Sequence, residues 1–245
     1  MGEFVEITAR DGHKLNAYHA GPADARRGLI VAQEIFGVNA HIRSRVDLFA
    51  QFGVAVIAPS LFDRVERGVD LRYGPNDIAR GKEMKEQITE EMVLEDVAAC
   101  ADYLGMAKIG MVGYCWGATV TWQVATKTTL LSMACCWYGA GIATLKDRVP
   151  LCPVQMHFGE NDRSIPLADV ESIRHTHPEV EVNLYYGAEH GFGCEARESF
   201  NGDVYEEAQE RSIAFYNRFI PREKPASPEP PPVNQPPLVL RRKFF

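Results

Sequence analysis

The sequence lacks the features that mark several broad classes of protein. No apolar run approaches the roughly 20 residues that a transmembrane helix needs, and the N-terminus lacks the basic start and apolar centre of a signal peptide. The net charge is -7 and the pI is about 5.5, whereas nucleic-acid-binding proteins usually carry a strongly basic surface. We therefore expect a cytoplasmic protein that binds neither membranes nor nucleic acid, and that is a monomer or a small homo-oligomer.

The cysteines and histidines show no metal-binding or disulfide pattern. None of the six cysteines forms a CxxC pair, and a chain without a signal peptide is not expected to carry a disulfide framework. Cys100, Cys135 and Cys136 are expected to be buried reduced thiols. His175 and His177 are predicted to lie in an exposed turn, where no carboxylate or cysteine completes a metal site. The sequence therefore predicts no metal and no cofactor.

Strand-like and helix-like segments alternate along the chain. Two opening strands form a predicted hairpin, and the repeats that follow indicate a mostly parallel central sheet with helices on both faces. Functional sites in such sheets lie beyond the carboxyl ends of the strands. The predicted strands are 3–8, 14–19, 29–33, 54–58, 108–113, 131–137, 153–158 and 181–186. The predicted helices are 41–52, 77–104, 116–125 and 203–220.

The last 25 residues differ in composition from the rest of the chain. Eight of the fifteen prolines lie in residues 221–245, and proline removes backbone donors and disrupts regular structure. We predict one domain over residues 1–220 and a disordered or extended tail over 221–245. An idle tail is favoured over a partner-binding motif.

The strongest motif is Gly113-Tyr114-Cys115-Trp116-Gly117, between a predicted strand and a predicted helix. This is the context of a nucleophile elbow, a tight strand-to-helix turn that exposes a reactive side chain. The central residue is Cys115, and its place at a helix N-terminus favours a thiolate. The backbone N–H of Trp116 would point towards an oxyanion formed beside it.

The partners of such a nucleophile follow it along the chain as an acid and then a histidine. Asp162 lies in a loop directly after a predicted strand and is the preferred acid, with Glu160 as the alternative. His190 lies in a later loop between small residues. The sequence therefore predicts a Cys115–His190–Asp162 triad.

These residues carry a resemblance to a known family. The segments 33–39 (QEIFGVN), 113–117 (GYCWG) and 189–192 (EHGF), together with the Asp162 loop, make residues 1–220 resemble the dienelactone hydrolases, which have the α/β-hydrolase fold. The resemblance implies hydrolysis of the dienelactone 4-carboxymethylenebut-2-en-4-olide to maleylacetate, in the catabolism of chlorinated aromatic compounds.

The resemblance also implies roles for individual residues. Glu34 would contact the resting thiol and help to deprotonate it when substrate binds. The N–H groups of Ile35 and Trp116 would form the oxyanion hole. From the residues alone, Glu34 is unusual because a carboxylate at the end of an apolar strand is costly without a partner or a function. The alternative is a salt bridge to an arginine such as Arg43.

Substrate recognition in the family implies two arginines that hold a carboxylate. Arg80 is the match for the first, with Arg72 as second choice, while Arg197 is the nearest arginine after His190. Tyr138 matches a pocket tyrosine. We therefore expect a small lactone or ester substrate, an anionic one included. The alternatives are a general carboxylesterase or thioesterase on the same scaffold, or a non-catalytic relative that binds a ligand.

Overall fold

The computed structural model describes residues 1–222, which build one eight-stranded sheet in the order β1-β2-β4-β3-β5-β6-β7-β8. The first two strands are antiparallel to their neighbours, and β3 to β8 are parallel. The strands are β1 Glu3–Thr8, β2 Lys14–Ala20, β3 Gly28–Ala32, β4 Ala55–Pro59, β5 Ile109–Tyr114, β6 Met133–Trp137, β7 Val154–Gly159 and β8 Glu181–Tyr185. The helices are α1 Ala40–Ala50, α2 Pro75–Glu86, α3 Glu90–Leu104, α4 Trp116–Lys127, α5 Leu167–Thr176 and α6 Gly202–Phe219.

Helices cover both faces of the central strands. Side chains alternate across a strand, so Gly110 and Gly113 of β5 point to opposite faces. A Cβ atom built on Gly110 would meet Tyr216 of α6, whereas one built on Gly113 would meet Thr121 of α4. All residues of β3 to β7 are buried. The predicted α/β-hydrolase architecture is therefore confirmed for the described residues.

Two details of the sequence prediction were wrong. The long helix predicted over 77–104 is two helices, α2 and α3, because Thr89 caps a new helix by accepting a hydrogen bond from the Met92 N–H at 3.3 Å. The segment predicted as an exposed turn instead contains α5, and His177 directly after it is 3% exposed. Only Val170 and Ile173 of α5 are buried, which is too weak an apolar pattern to reveal a helix.

The His177 imidazole is satisfied by protein groups. Its Nδ1 atom lies 2.9 Å from a carboxylate oxygen of Glu179, and its Nε2 atom contacts the carbonyl oxygen of Lys146. The predicted tail over 221–245 lies almost wholly outside the described residues. Among residues 1–222, no helix is both long enough and apolar enough to cross a membrane.

Candidate active site

Cys115 occupies a strained turn between β5 and α4. Its backbone has φ 54° and ψ -115°, a positive φ that L-residues rarely adopt and that is found where the surrounding structure enforces it. The Cys115 N–H donates to the carbonyl oxygen of Trp137 at 2.9 Å, which ties the turn to β6. The thiol is therefore presented at the carboxyl edge of the sheet.

The two glycines of the motif let three backbone segments meet at this turn. A Cβ atom at Gly113 would lie 2.0 Å from the carbonyl oxygen of Gly117, and one at Gly117 would lie 2.4 Å from the carbonyl oxygen of Ala32. Any side chain at either position would force these segments apart. The end of β3, which leads into Glu34 and Ile35, is consequently held beside Cys115.

The structure brings Cys115, His190 and Asp162 into one hydrogen-bonded chain. His190 Nε2 lies 3.2 Å from Cys115 Sγ, and His190 Nδ1 lies 2.7 Å from Asp162 Oδ2. The second Asp162 oxygen accepts from the Ser164 N–H at 2.8 Å. Asp162 is buried, so its orientation is fixed by these two contacts.

Electrostatics at His190 favour the imidazolium form. Burial opposes the charged ring, but the Cys115 sulfur and the Asp162 carboxylate outweigh burial and raise the pKa of His190 from 6.5 to about 10. An imidazole holds its proton more tightly when its neighbours accept hydrogen bonds or carry negative charge, because both favour the charged ring. This arrangement can supply a thiolate nucleophile and a general acid in one contact.

Glu34 forms an ion pair with Arg197, which lines the smaller of two cavities together with Cys115. Glu34 is 1% exposed, and its Oε1 atom lies 3.4 Å from Arg197 Nη1. Burial raises the pKa of Glu34, whereas Arg197 and His190 lower it. The arginine expected as an alternative partner, Arg43, instead pairs with Asp70 at 2.9 Å.

Two adjoining cavities open onto these residues. The smaller, of about 400 Å³, is lined by both Cys115 and His190, whereas the larger, of about 1050 Å³, reaches His190 but not the sulfur. Arg197 and Ser164 line both. A small substrate in the smaller cavity would thus contact the thiol, and the larger cavity provides an approach to it.

The two predicted oxyanion donors flank the smaller cavity. Ile35 and Trp116 both line it together with Cys115. Trp116 is the first residue of α4, so its N–H has no acceptor within the helix. The Trp116 ring stacks on Phe62 with centroids 5.2 Å apart, which fixes the start of the helix.

The chain is similar in sequence and in fold to a family of known proteins. The sequence profile of the dienelactone hydrolase family matches residues 15–220. The chain belongs to the dienelactone hydrolase family. The carboxymethylenebutenolidase of Pseudomonas putida is 30% identical over 230 residues, which cover 88% of this chain and 96% of that protein. A Synechocystis protein provisionally named carboxymethylenebutenolidase is 32% identical over 204 residues, covering 75% of this chain and 82% of that protein.

A solved structure supports the same assignment. A Klebsiella pneumoniae protein, provisionally described as a dienelactone hydrolase, superposes with a TM-score of 0.78 at 27% identity, covering 89% of this chain and 99% of that one. As a member of this family, the protein is a hydrolase that acts on ester or lactone bonds of small molecules.

Two residues predicted for substrate binding lie outside both cavity linings. Arg80 is half-exposed and makes two hydrogen bonds, of 2.6 and 2.7 Å, to the Glu66 carboxylate. The structure therefore does not bring its side chain to the cavities beside Cys115 and His190. Tyr138 is fully buried, with its ring centroid 5.3 Å from that of His190. Arg72, the second choice, does line the larger cavity.

Sequence reasoning missed two lysines at the smaller cavity. Lys82 and Lys85 lie three residues apart on α2, and both line it. The helix can approach because Gly81 faces the Ile35 carbonyl, which a Cβ atom would meet at 2.0 Å. The available signal was a glycine followed by two lysines on one helix. It predicts a site only once α2 is known to pack over the loop that carries Ile35.

Glu160, the alternative acid, does not face His190. Its Oε2 atom accepts a hydrogen bond from the Gly187 N–H at 3.0 Å, so it ties together the two loops that carry Asp162 and His190. Its hydrogen bond is therefore to the backbone of the loop that carries His190, whereas Asp162 binds the imidazole itself.

One further set of side chains in the described residues could hold a metal ion, namely Glu34, His41 and Cys194. Burial, followed by the charges of Arg45 and Arg197, lowers the pKa of His41 to about 3. Burial and the Glu34 carboxylate raise the pKa of Cys194 to about 11. His41 is therefore a neutral imidazole and Cys194 a neutral thiol at physiological pH.

Proposed function

We propose that this hydrolase opens a lactone or small ester through a Cys115–His190–Asp162 triad and a thioester acyl-enzyme. The observation that carries the proposal is the hydrogen-bonded chain, 3.2 Å from sulfur to imidazole and 2.7 Å from imidazole to carboxylate, at a turn with φ 54°. Such a chain orients the base and stabilises the imidazolium that forms beside the thiolate.

In the first step, the Cys115 thiolate attacks the carbonyl carbon and forms a carbon–sulfur bond. The negative charge passes to the carbonyl oxygen, where the Ile35 and Trp116 N–H groups would stabilise it. Collapse of this intermediate breaks the carbon–oxygen bond of the ester or lactone. The His190 imidazolium gives its proton to the departing oxygen, and a thioester remains on Cys115.

In the second step, water attacks the thioester carbon. Neutral His190 accepts a proton from that water, and the thiolate leaves as the carboxylic acid forms. The proton stays on His190, which restores the thiolate–imidazolium pair. In this scheme Asp162 does not change its protonation state but keeps the imidazole in the required tautomer.

We propose a role for the Glu34–Arg197 pair in the response to substrate. Arg197 lies on both cavities and holds Glu34 at 3.4 Å. A substrate carboxylate that binds Arg197 would compete with Glu34 for the guanidinium. The freed Glu34 carboxylate would then interact more strongly with the His190 imidazolium, to which it already couples electrostatically, and would favour the thiolate–imidazolium pair. This is a different route to the thiolate from direct deprotonation by Glu34, which the resemblance implies.

For the substrate, we propose an anionic lactone of the dienelactone type. Arg197, Lys82 and Lys85 line the smaller cavity, and a cleft of one charge sign concentrates ligands of the opposite sign although the whole chain is acidic. The name of the Pseudomonas putida relative supports the same substrate. A place in the cytoplasm and in aromatic compound catabolism stays a prediction.

The decisive experiment measures kcat/KM for p-nitrophenyl acetate and for cis- and trans-dienelactone. We expect Cys115→Ala to abolish turnover of all three, and iodoacetamide to inactivate the wild type. The matched control is Cys152→Ser, since Cys152 is a half-buried thiol outside both cavity linings, and it should keep wild-type rates. Activity retained in Cys115→Ala would eliminate the cysteine mechanism.

The same measurements separate the substrate proposals. A preference for dienelactone over the aryl ester supports an anionic lactone as substrate. A strong preference for neutral aryl esters would instead indicate a general carboxylesterase, for which the apolar part of the cavity wall, formed by Ile35, Phe36 and Trp116, would suffice. No turnover of any ester would favour a non-catalytic, ligand-binding relative.

A further inference from the structure

Three potential metal ligands lie close together, and one of them is the Glu34 that pairs with Arg197. Glu34 follows β3, His41 lies in the first turn of α1, and Cys194 lies in the loop after His190. One donor atom from each lies within 4.8 Å of the other two. All three residues are more than nine-tenths buried, at 1%, 7% and 0% exposure. The fold therefore gathers a carboxylate, an imidazole and a thiol in one enclosed place.

Two polar atoms of this cluster are left without partners. Within the described residues, Glu34 Oε2 and His41 Nε2 are buried and make no hydrogen bond. Buried polar groups in native proteins are nearly always satisfied, and the exceptions call for an explanation such as a bound ion. A cation held between these side chains would satisfy the carboxylate oxygen directly.

The surroundings of the cluster resemble an outer coordination shell. The Tyr73 hydroxyl hydrogen-bonds the Cys194 sulfur, and Asn39 Nδ2 donates to the Tyr73 oxygen at 3.0 Å. Metal ligands are commonly oriented by such second partners. His41 and Tyr73 also line the larger cavity, which gives an ion a route from solvent.

The nearby charges restrict which cation could bind. The guanidinium groups of Arg45 and Arg197 both face His41 closely enough to affect it, and they repel any positive ion. Binding therefore requires Cys194 to lose its proton, so that a thiolate and a carboxylate balance a divalent charge. This favours a thiolate-binding ion such as Zn²⁺ over Mg²⁺ or Ca²⁺, which prefer oxygen ligands.

We propose that Glu34, His41 and Cys194 form a binding site for a thiolate-seeking divalent cation, with Zn²⁺ as the probe, and that its occupation inhibits the hydrolase. Zn²⁺ in protein sites is held by this combination of nitrogen, oxygen and sulfur ligands, and three protein ligands leave a fourth position for water. The inhibitory part rests on the proposed function, because it assumes that Glu34 must be free to leave Arg197. Binding itself does not depend on that function.

The first test titrates metal-free full-length protein with Zn²⁺ by isothermal calorimetry. Cys115→Ser is needed as a comparison, because Cys115 and His190 offer a second thiol and imidazole. We expect one equivalent to bind to both the wild type and Cys115→Ser. Binding to Cys194→Ser should weaken by about 100-fold or more, since loss of an outer-shell partner alone costs about 10–100-fold. Cys100→Ser, another fully buried thiol, should leave the affinity unchanged.

Several results would overturn the site. Binding that survives in Cys194→Ser but disappears in Cys115→Ser would locate the cation at the triad. Absence of binding to the wild type would also refute the proposal. If Cys194→Ser fails to fold, crystals of the wild type soaked in Zn²⁺ decide the question: an anomalous peak between Glu34, His41 and Cys194 supports the site, and a peak elsewhere contradicts it.

The second test measures ester hydrolysis at rising Zn²⁺ concentration. We expect inhibition of the wild type with the affinity found by calorimetry, and loss of that inhibition in Cys194→Ser. Full activity with the calorimetric site occupied would overturn the inhibitory part. Failure of the proposed function would show differently, as activity retained in Cys115→Ala, and would leave the Zn²⁺ binding result intact.

Discussion

The His190 side and the Glu34 side of the site differ in how completely their polar atoms are hydrogen-bonded. On the His190 side, each polar atom has a partner, from the thiol through the imidazole to Asp162 and the Ser164 N–H. On the Glu34 side, the ion pair is buried to a similar degree, but one carboxylate oxygen lacks a hydrogen bond. A network in which every polar atom is hydrogen-bonded fixes one geometry. A buried polar atom without a partner instead marks a place where a ligand or an ion could bind. We call the Cys115–His190–Asp162 chain the rigid half of the site and the Glu34–Arg197 pair the responsive half.

The largest loss of activity among these tests is expected from Asp162→Asn, which changes the acid of the rigid half. The amide can still contact His190 but favours the wrong imidazole tautomer, so we expect kcat to fall by about 10³- to 10⁴-fold. Ester turnover measured in parallel with far-UV circular dichroism would check this. The matched control is Glu160→Gln, the neighbouring acid whose contact is with the Gly187 N–H. If Glu160→Gln were the more damaging of the two, the assignment of the acid would be reversed.

The ion pair of the responsive half should contribute to the free energy of unfolding. Arg197→Gln leaves the buried Glu34 carboxylate without its ion-pair partner, which typically costs about 3 kcal/mol in the free energy of unfolding. The double variant Glu34→Gln/Arg197→Gln removes both charges and should recover much of that loss. Urea unfolding of the wild type, both single variants and the double variant would measure the coupling. An additive double variant would show that the pair does not interact.

A smaller effect is expected from the lysines of α2. Lys82→Ala and Lys85→Ala each remove one exposed positive charge from the wall of the smaller cavity. We expect KM for an anionic lactone to rise several-fold, with little change for p-nitrophenyl acetate, because only the charged substrate is attracted by the local field. Lys108→Ala, an exposed lysine outside the cavity linings, serves as control. Equal changes for both substrates would argue against charge recognition.

The subtlest test concerns the protonation of His190. Its pKa is raised to about 10, because the Cys115 sulfur and Asp162 outweigh the opposing effect of burial. An unfolded histidine releases its proton near pH 6.5. The stabilisation from this proton is therefore complete below about pH 6.5 and is lost as the pH rises towards 10. Cys115→Ala should lower the pKa of His190, as measured by NMR titration, and flatten this pH dependence; an unchanged pKa would mean that the sulfur carries no charge.

Much of the rigid half could be predicted from local sequence. Gly113 to Gly117 stand between an apolar strand and a helical pattern, and Asp162 and His190 each follow a strand. Parallel strands bring their carboxyl ends to one edge, so three separate loops can be placed together without coordinates. The strands were predicted to within about two residues of their observed ends.

The responsive half could not be predicted in the same way. Arg43 is close to Glu34 in sequence, yet Arg197 is its partner, because the loop after His190 folds back across the cavity. Arg80 stands in the right segment but points to Glu66. Side-chain direction on α2 depends on how Gly81 packs against Ile35, and no local pattern encodes that contact.

The sequence by itself determined the sheet, the elbow and the order of nucleophile, acid and histidine, because each follows from short-range periodicity and turn chemistry. Only the tertiary structure decided which charges meet. It paired Glu34 with Arg197 and brought His41 and Cys194 beside them. Those contacts join residues up to 163 positions apart, and such pairings depend on how whole loops pack.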